Sequence, residues 1–186
     1  MDKQHGVCPW QGGHMLAGFM RRLFHNPYNI MKPYLTDGMT AMDIGCGMGF
    51  FSIPMSKIVG CEGKVIAVDL QPQMLDGLTE YAAKAGTTNI TAHQCAKDSL
   101  HIEQWKDTVD FAVIFWMLHE VPDAERLIDE LRHALSADGK VLFAEPYVHV
   151  NTRKFRQGLK IIENAGFKMI GEPKIAISRT ALFQKS

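Results

Sequence analysis

Three glycines at alternate positions, Gly45, Gly47 and Gly49, follow a short apolar run, Thr40-Ala41-Met42, that closes on Asp43 and Ile44. Apolar residues then recur at helical spacing from Phe50 and Phe51 through Ile53 to Ile58 and Val59, so the segment reads as strand, tight turn and helix. Glycine is needed where the backbone takes positive φ or where a ligand lies against the main chain. The N–H groups that open the helix suit an anionic or polar ligand. Twenty residues past Gly49, Asp69 closes a second apolar run that starts at Lys64. A carboxylate at that strand tip can accept hydrogen bonds from both ribose hydroxyls of an adenosine cofactor. A dinucleotide site uses G-x-G-x-x-G. Here the third glycine comes one residue early and Phe50 takes its usual place, which argues against NAD and leaves an adenosine without a pyrophosphate.

A second group lies further on, in Phe115-Trp116-Met117-Leu118-His119-Glu120-Val121-Pro122. His119 is the natural general base of this stretch, because a neutral-range imidazole can take a proton at working pH. It is equally able to cap the next helix or bond a backbone carbonyl. Glu145, beside Pro146, either orients a reacting molecule, pairs with Arg21 or Arg22, or makes a buried loop contact; Tyr147 and His149 are weaker candidates. Four cysteines, Cys8, Cys46, Cys61 and Cys95, show no C-x-x-C or other zinc spacing, so no metal site is expected. Cys8, Cys46 and Cys95 together would suit a soft metalloid, against which stands the commoner buried, inert thiol.

The elements that must position these residues alternate. Strands are expected at 39–44, 64–69, 90–94, 109–115 and 139–145, and helices at 50–59, 72–85, 123–137 and 152–165. Gln71-Pro72 marks a helix start and Ala85-Gly86 a stop; Pro122-Asp123 caps the next helix and Asp138-Gly139 ends it. The pattern is an α/β fold, a doubly wound and mostly parallel Rossmann-like sheet. Its tail departs from the alternation: Phe167–Ile170 and Lys174–Phe183 are both strand-like, with no room for a helix between them, and form a hairpin. Residues 1–36 precede the sheet as a helical cover, with one helix over 15–24 and a second over Asn29–Tyr34, and 37–186 form the core of one domain. In open α/β sheets the ligand lies beyond the carboxyl ends of the strands. That rule selects Asp43 to Gly49 (Cys46 included), Asp69 and Leu70, Cys95 and Ala96, Phe115 to Glu120, and Glu145 to Tyr147.

Taken together, the blocks Met42 to Gly49, Ala67 to Leu70, Val109 to Phe115 and Gly139 to Pro146 resemble the class I S-adenosylmethionine-dependent methyltransferases, especially small single-domain members of the quinone and "type 11" kind. The resemblance covers about residues 39 to 183 and implies a seven-stranded sheet in the order 3-2-1-4-5-7-6. It implies S-adenosylmethionine as cofactor, with Gly45, Gly47 and Gly49 against its methionine and ribose portions. Asp43 would shape the loop or receive the amino group, and Asp69 the ribose hydroxyls. Where the family usually places an acidic residue for the adenine amino group, this chain has Cys95. The Ala96 N–H is then left for an adenine ring nitrogen, Asp98 for the amino group if it bends in, and Leu70 as an apolar wall. Tyr28, reaching in from the cover, and Trp116 are the candidates on the acceptor side. Asn26-Pro27-Tyr28 is an incomplete and misplaced version of the N-P-P-Y motif, so methylation of an amide or adenine amine is not expected.

Composition sets the outer limits. A chain of 186 residues with 46% hydrophobic and 22% charged residues is ordinary for one globular domain. Formal net charge is zero with no run of like charges, so a nucleic-acid substrate is not expected, although a local basic patch remains open. No apolar run reaches the ~20 residues of a membrane helix, and no signal-like N-terminus is present, so the expected location is the cytoplasm without membrane partners. The reading is transfer of a methyl group from S-adenosylmethionine to a small, apolar or aromatic acceptor, with His119 and Glu145 as catalytic candidates. The alternative is a non-catalytic protein that binds S-adenosylmethionine or S-adenosylhomocysteine, or an adaptor on the same fold. Oligomeric state and the atom methylated leave no trace in the sequence.

Overall fold

The computed structural model describes residues 24–186. Seven strands form one sheet in the order β3-β2-β1-β4-β5-β7-β6. The central parallel strands are β1 (Thr40–Ile44), β2 (Lys64–Asp69), β3 (Ile90–Gln94), β4 (Val109–Phe115) and β5 (Leu135–Pro146). The hairpin β6 (Phe167–Gly171) and β7 (Ser178–Lys185) places β7 antiparallel between β5 and β6. The helices are α1 (Pro27–Met31), α2 (Ser52–Val59), α3 (Pro72–Lys84), α4 (Ala124–Ala134) and α5 (Thr152–Asn164). This is the doubly wound, mostly parallel Rossmann-like sheet that the sequence implies.

Alternation along the strands sorts the core onto two faces. Ala41, Phe111, Val113, Phe115, Leu142 and Ala144 point to one face, where Met31, Leu35, Phe51, Met55 and Val59 cover them. Met42, Ile44, Ala112, Ile114, Val141 and Phe143 point to the other, against Leu127, Ile128, Leu131 and Ile162 of α4 and α5. β4 is covered on both sides, which is why its sequence is apolar without alternation. On α5 the helical glycine Gly158 has a packing reason: a Cβ there would stand 2.9 Å from Phe143 Cζ, which stacks on Phe155 with ring centroids 5.4 Å apart.

Most boundaries fall where the sequence places them. Pro72 opens α3, Gly86 follows its end at φ 68°, and the Asp123 side chain caps α4 by accepting from the Arg126 N–H at 3.0 Å. Three boundaries need correction. The helix expected over 123–137 stops at Ala134; Leu135 turns extended, is fully buried and pairs with Val109, so joining the sheet wins over another helical turn. The β4–β5 register then slips between Val109 and Phe111, which absorbs Asp138 and Gly139 into an irregular start of β5. The short helix expected over 29–34 lies instead at Pro27–Met31, because Asn26 caps it by accepting from the Asn29 N–H at 3.1 Å and proline occupies its first turn. β7 starts at Ser178, not Lys174, since Ile177 takes φ 51° and the Ser178 N–H turns back to the Ile175 carbonyl. The helix expected over 15–24, except Phe24, lies outside the described residues, as do Cys8, Arg21 and Arg22. Among the described residues, no helix is long and apolar enough to cross a membrane.

Candidate functional site

The carboxyl ends of β1, β2, β4 and β5 bring the predicted residues to one edge of the sheet. After β1 the chain turns through Gly45, Gly47 and Gly49 at φ 72°, 54° and 89°. These glycines differ in what surrounds them. A Cβ on Gly49 would stand 2.4 Å from Leu78 Cδ1, so this glycine lets α3 pack close to the turn; a Cβ on Gly47 would meet nothing within 4 Å. The turn therefore presents a bare stretch of backbone to open space at Gly47, as a cradle for a ligand requires.

Two buried carboxylates hold the turn. Asp69, 8% exposed, accepts from the Gly47 N–H at 2.8 Å through Oδ2 and from the Gln71 N–H at 2.9 Å through Oδ1. It thus fastens the glycine turn to the start of α3, and each oxygen keeps further acceptor capacity. Asp43, 2% exposed, accepts from the Ser52 hydroxyl at 2.6 Å, which ties the end of β1 to the first turn of α2. Cys46 lies buried between them, and its thiol donates to the Gly47 carbonyl at 3.4 Å. Burial, reinforced by Asp43 and Asp69, pushes that thiol far above the usual cysteine range. The Cys95 thiol is pushed up to about 11 by burial and then by Asp69. Both are therefore held protonated near neutral pH.

At the adenine-side candidates the structure is more restrictive than the sequence suggests. The Ala96 N–H donates to the Ser99 carbonyl at 2.9 Å. Asp98 does not bend in; its carboxylate is exposed and lies 3.9 Å from Arg126 Nη1. Leu70 is half-buried, and its carbonyl accepts from the Gln94 side chain at 3.5 Å.

The segment after β4 carries the acid–base group. Met117 lies against the glycine turn, its Cγ 3.0 Å from where a Gly45 Cβ would stand, and a 3-10 turn over Leu118–Glu120 follows. Glu145, 2% exposed at the end of β5, binds His119 twice. Oε1 accepts from the His119 backbone N–H at 3.0 Å and Oε2 lies 2.7 Å from Nδ1. The other ring nitrogen, Nε2, lies 3.8 Å from Glu120 Oε1. The hydrogen bond to Glu145 raises the His119 pKa above the ordinary imidazole value, partly opposed by burial. His119 is thus a histidine oriented by a buried carboxylate, and Glu145 makes the orienting contact.

An aromatic wall adjoins this pair. Trp116 occupies the left-handed region at φ 62°, and its indole N–H donates to Ser178 Oγ at 2.9 Å. A bulky residue in that region is uncommon and is retained where neighbours enforce it. Phe115 is buried, with its ring centroid 4.7 Å from Phe51 and 5.3 Å from His25; the His25 ring also meets Trp116 at 5.2 Å. His25 is anchored by Nε2 donating to the Ala176 carbonyl at 2.8 Å. Tyr28, by contrast, is 43% exposed on α1 with the Lys32 ammonium 5.9 Å from its ring centroid. Among the described residues, His25 and Ser178 both brace Trp116. The sequence carries no signal for either, because their roles come from contacts 62 to 151 residues away in the chain.

Comparison with known proteins agrees with this fold. Residues 35–172 match the family described as a methyltransferase domain. A demethylmenaquinone methyltransferase of Lactobacillus johnsonii is 32% identical over 104 residues, which cover 56% of this chain and 42% of that protein. An arsenite methyltransferase of Halobacterium salinarum is 25% identical over 111 residues, covering 60% of this chain and 28% of that one. The chain therefore spans less than half the length of these two relatives. In fold, it is similar to a SAM-dependent methyltransferase structure from Aquifex aeolicus, with TM-score 0.77 over 88% of this chain and 91% of that one at 24% identity.

Proposed function

Since this chain belongs to the methyltransferase-domain family, whose methyl donor is S-adenosylmethionine, we propose that it transfers a methyl group from that cofactor to a small apolar or aromatic acceptor. The observation that carries the reading is the His119–Glu145 pair, set two residues beyond the methionine that packs on the glycine turn. The residues fit the cofactor: open backbone at Gly47 for the ligand, and buried carboxylates of Asp43 and Asp69 with acceptor capacity for an amino group and ribose hydroxyls. Gly45, Cys46 and Gly49 shape the turn. Leu70, Cys95, Ala96 and Phe115 bound the adenine and sulfur sides by packing, with little polar recognition of the adenine edge.

Bound S-adenosylmethionine supplies a methyl carbon on a sulfonium, already activated for displacement. The protein's share is alignment, exclusion of water and management of one proton. Trp116 borders the acceptor side. With Nδ1–H donated to Glu145, His119 presents the lone pair of Nε2 to the acceptor and takes its proton. Glu145 fixes that tautomer and stabilises the imidazolium that results.

Support for a small acceptor comes from the relatives, whose names specify demethylmenaquinone and arsenite. Of these chemistries an apolar acceptor fits better, because Cys46 is buried with its thiol donating to the Gly47 carbonyl, the setting of an inert thiol. Cys46, Cys61 and Cys95 are free, which supports a cytoplasmic setting. Calorimetric titration with S-adenosylhomocysteine, with NAD as control, tests the reading. Saturable binding of the first and none of the second is expected; binding of neither would sink it.

A further inference from the structure

The chain is neutral overall, but its charge is not evenly spread. α5 carries Arg153, Lys154, Arg156 and Lys160 against one acidic residue, Glu163. All four cations are exposed, and none lies within ion-pair distance of a carboxylate among the described residues. Phe155, Gly158, Leu159 and Ile162 turn the opposite side of α5 to the core, so the basic side is the outward one. Arg153, Arg156 and Lys160 line a shallow groove with Thr152 and Gln157. Arg153 and Lys154 also stand in the first helical turn, where the helix dipole disfavours cations. A local rule broken without a compensating partner is a mark of function.

This face begins beside the turn that carries His119: a Cβ on Gly158 of α5 would stand 3.8 Å from Leu118 Cδ2, and the Lys154 charge opposes protonation of the His119 ring. Just before α5, Tyr147 is 54% and Val148 85% exposed. They are held out on a fixed loop. The Arg179 guanidinium lies 4.5 Å over the Tyr147 ring and donates to the Val150 carbonyl at 2.7 Å, and the Tyr147 N–H donates to the Ile177 carbonyl.

We propose that this face docks the protein on an anionic lipid bilayer. Arg153, Arg156 and Lys160 would lie against headgroup phosphates, Tyr147 and Val148 would enter the interface, and the turn that carries His119 would lie at the membrane surface. Cations spread over about 10 Å of helix beside exposed apolar side chains fit an extended interface better than one discrete anion. Such docking needs no membrane-spanning segment. It is independent of which atom is methylated, and it gives an apolar acceptor a direct route from the bilayer.

The test is co-sedimentation of the full chain with vesicles. Binding is expected to phosphatidylcholine vesicles containing about one-third phosphatidylglycerol, with none to pure phosphatidylcholine, and release is expected as salt rises from about 0.05 to 0.5 M. Each basic residue near an anionic surface is worth about fivefold in partitioning, so the Arg153→Ala/Arg156→Ala/Lys160→Ala variant should lose about a hundredfold. Val148→Asp should weaken binding while leaving its salt dependence in place. Melting curves and S-adenosylhomocysteine titration confirm that each variant is folded and separate a failure here from a failure of the cofactor reading. Equal binding to neutral vesicles, wild-type partitioning by the triple variant, or release by inorganic phosphate at constant ionic strength would each overturn the proposal.

Discussion

His119 and Glu145 show how one side chain gains a role from another 26 residues away. As a base, His119 acts only when neutral, so methyl transfer to a proton-bearing acceptor should rise with pH through a midpoint above the ordinary imidazole value of 6.5. Glu145→Gln removes the charge that raises that midpoint. The pH–rate limb should move to lower pH, with the S-adenosylhomocysteine affinity unchanged; an unmoved limb would show that His119 is not the titrating base. The same coupling bears on stability. Because the folded pKa is raised, the stabilisation is complete below pH 6.5 and is lost as pH rises through the folded value. The melting advantage of wild type over His119→Gln should therefore shrink from acidic to alkaline pH. At Asp69, Ala substitution removes acceptors for two backbone N–H groups as well as for the ribose. Hydrogen bonds to charged groups are worth about 1.5–3 kcal/mol, so Asp69→Ala should weaken S-adenosylhomocysteine binding by about 10- to 100-fold in calorimetry.

Among the elements, the glycine turn offers a paired prediction, because two of its glycines exist for different reasons. Gly49→Ala puts a methyl into Leu78 at positive φ, so strain and overpacking together should cost about 3 kcal/mol of stability in urea unfolding. Gly47→Ala meets no protein atom, and only backbone strain of about 1–2 kcal/mol is expected. Its methyl stands where the ligand belongs, so cofactor affinity should fall although the fold persists. Similar stability losses for both variants, with S-adenosylhomocysteine affinity retained by Gly47→Ala, would show that the turn is structural only.

For the whole molecule, the sheet is the rigid part. Both faces of β4 are covered, and the site is assembled from the ends of four parallel strands. A ligand bridging those ends should stabilise the entire fold. At about 100 times its dissociation constant, S-adenosylhomocysteine should add about 2.7 kcal/mol, a rise in Tm of about 5–10 °C for a chain of this size. Differential scanning fluorimetry reads this directly, and an unchanged Tm would mean that the described edge of the sheet is not the binding site.

The sequence by itself determined the alternation of strand and helix, the sheet class and the glycine turn followed by Asp69. These depend on local periodicity and on spacing within one β–turn–α–β unit. It did not determine where α4 stops, because Leu135 leaves the helix to pair with Val109, a partner 26 residues earlier. Nor did it show that His25 and Ser178 brace Trp116 or that the Ala96 N–H is already engaged. It offered Glu145 several partners, and the tertiary structure selected His119. A neutral total charge concealed the basic face of α5. The contacts of Leu135, Trp116 and Glu145 depend on which distant residues the sheet order brings side by side, and a pattern read along the chain holds no information about that order until the strands pair.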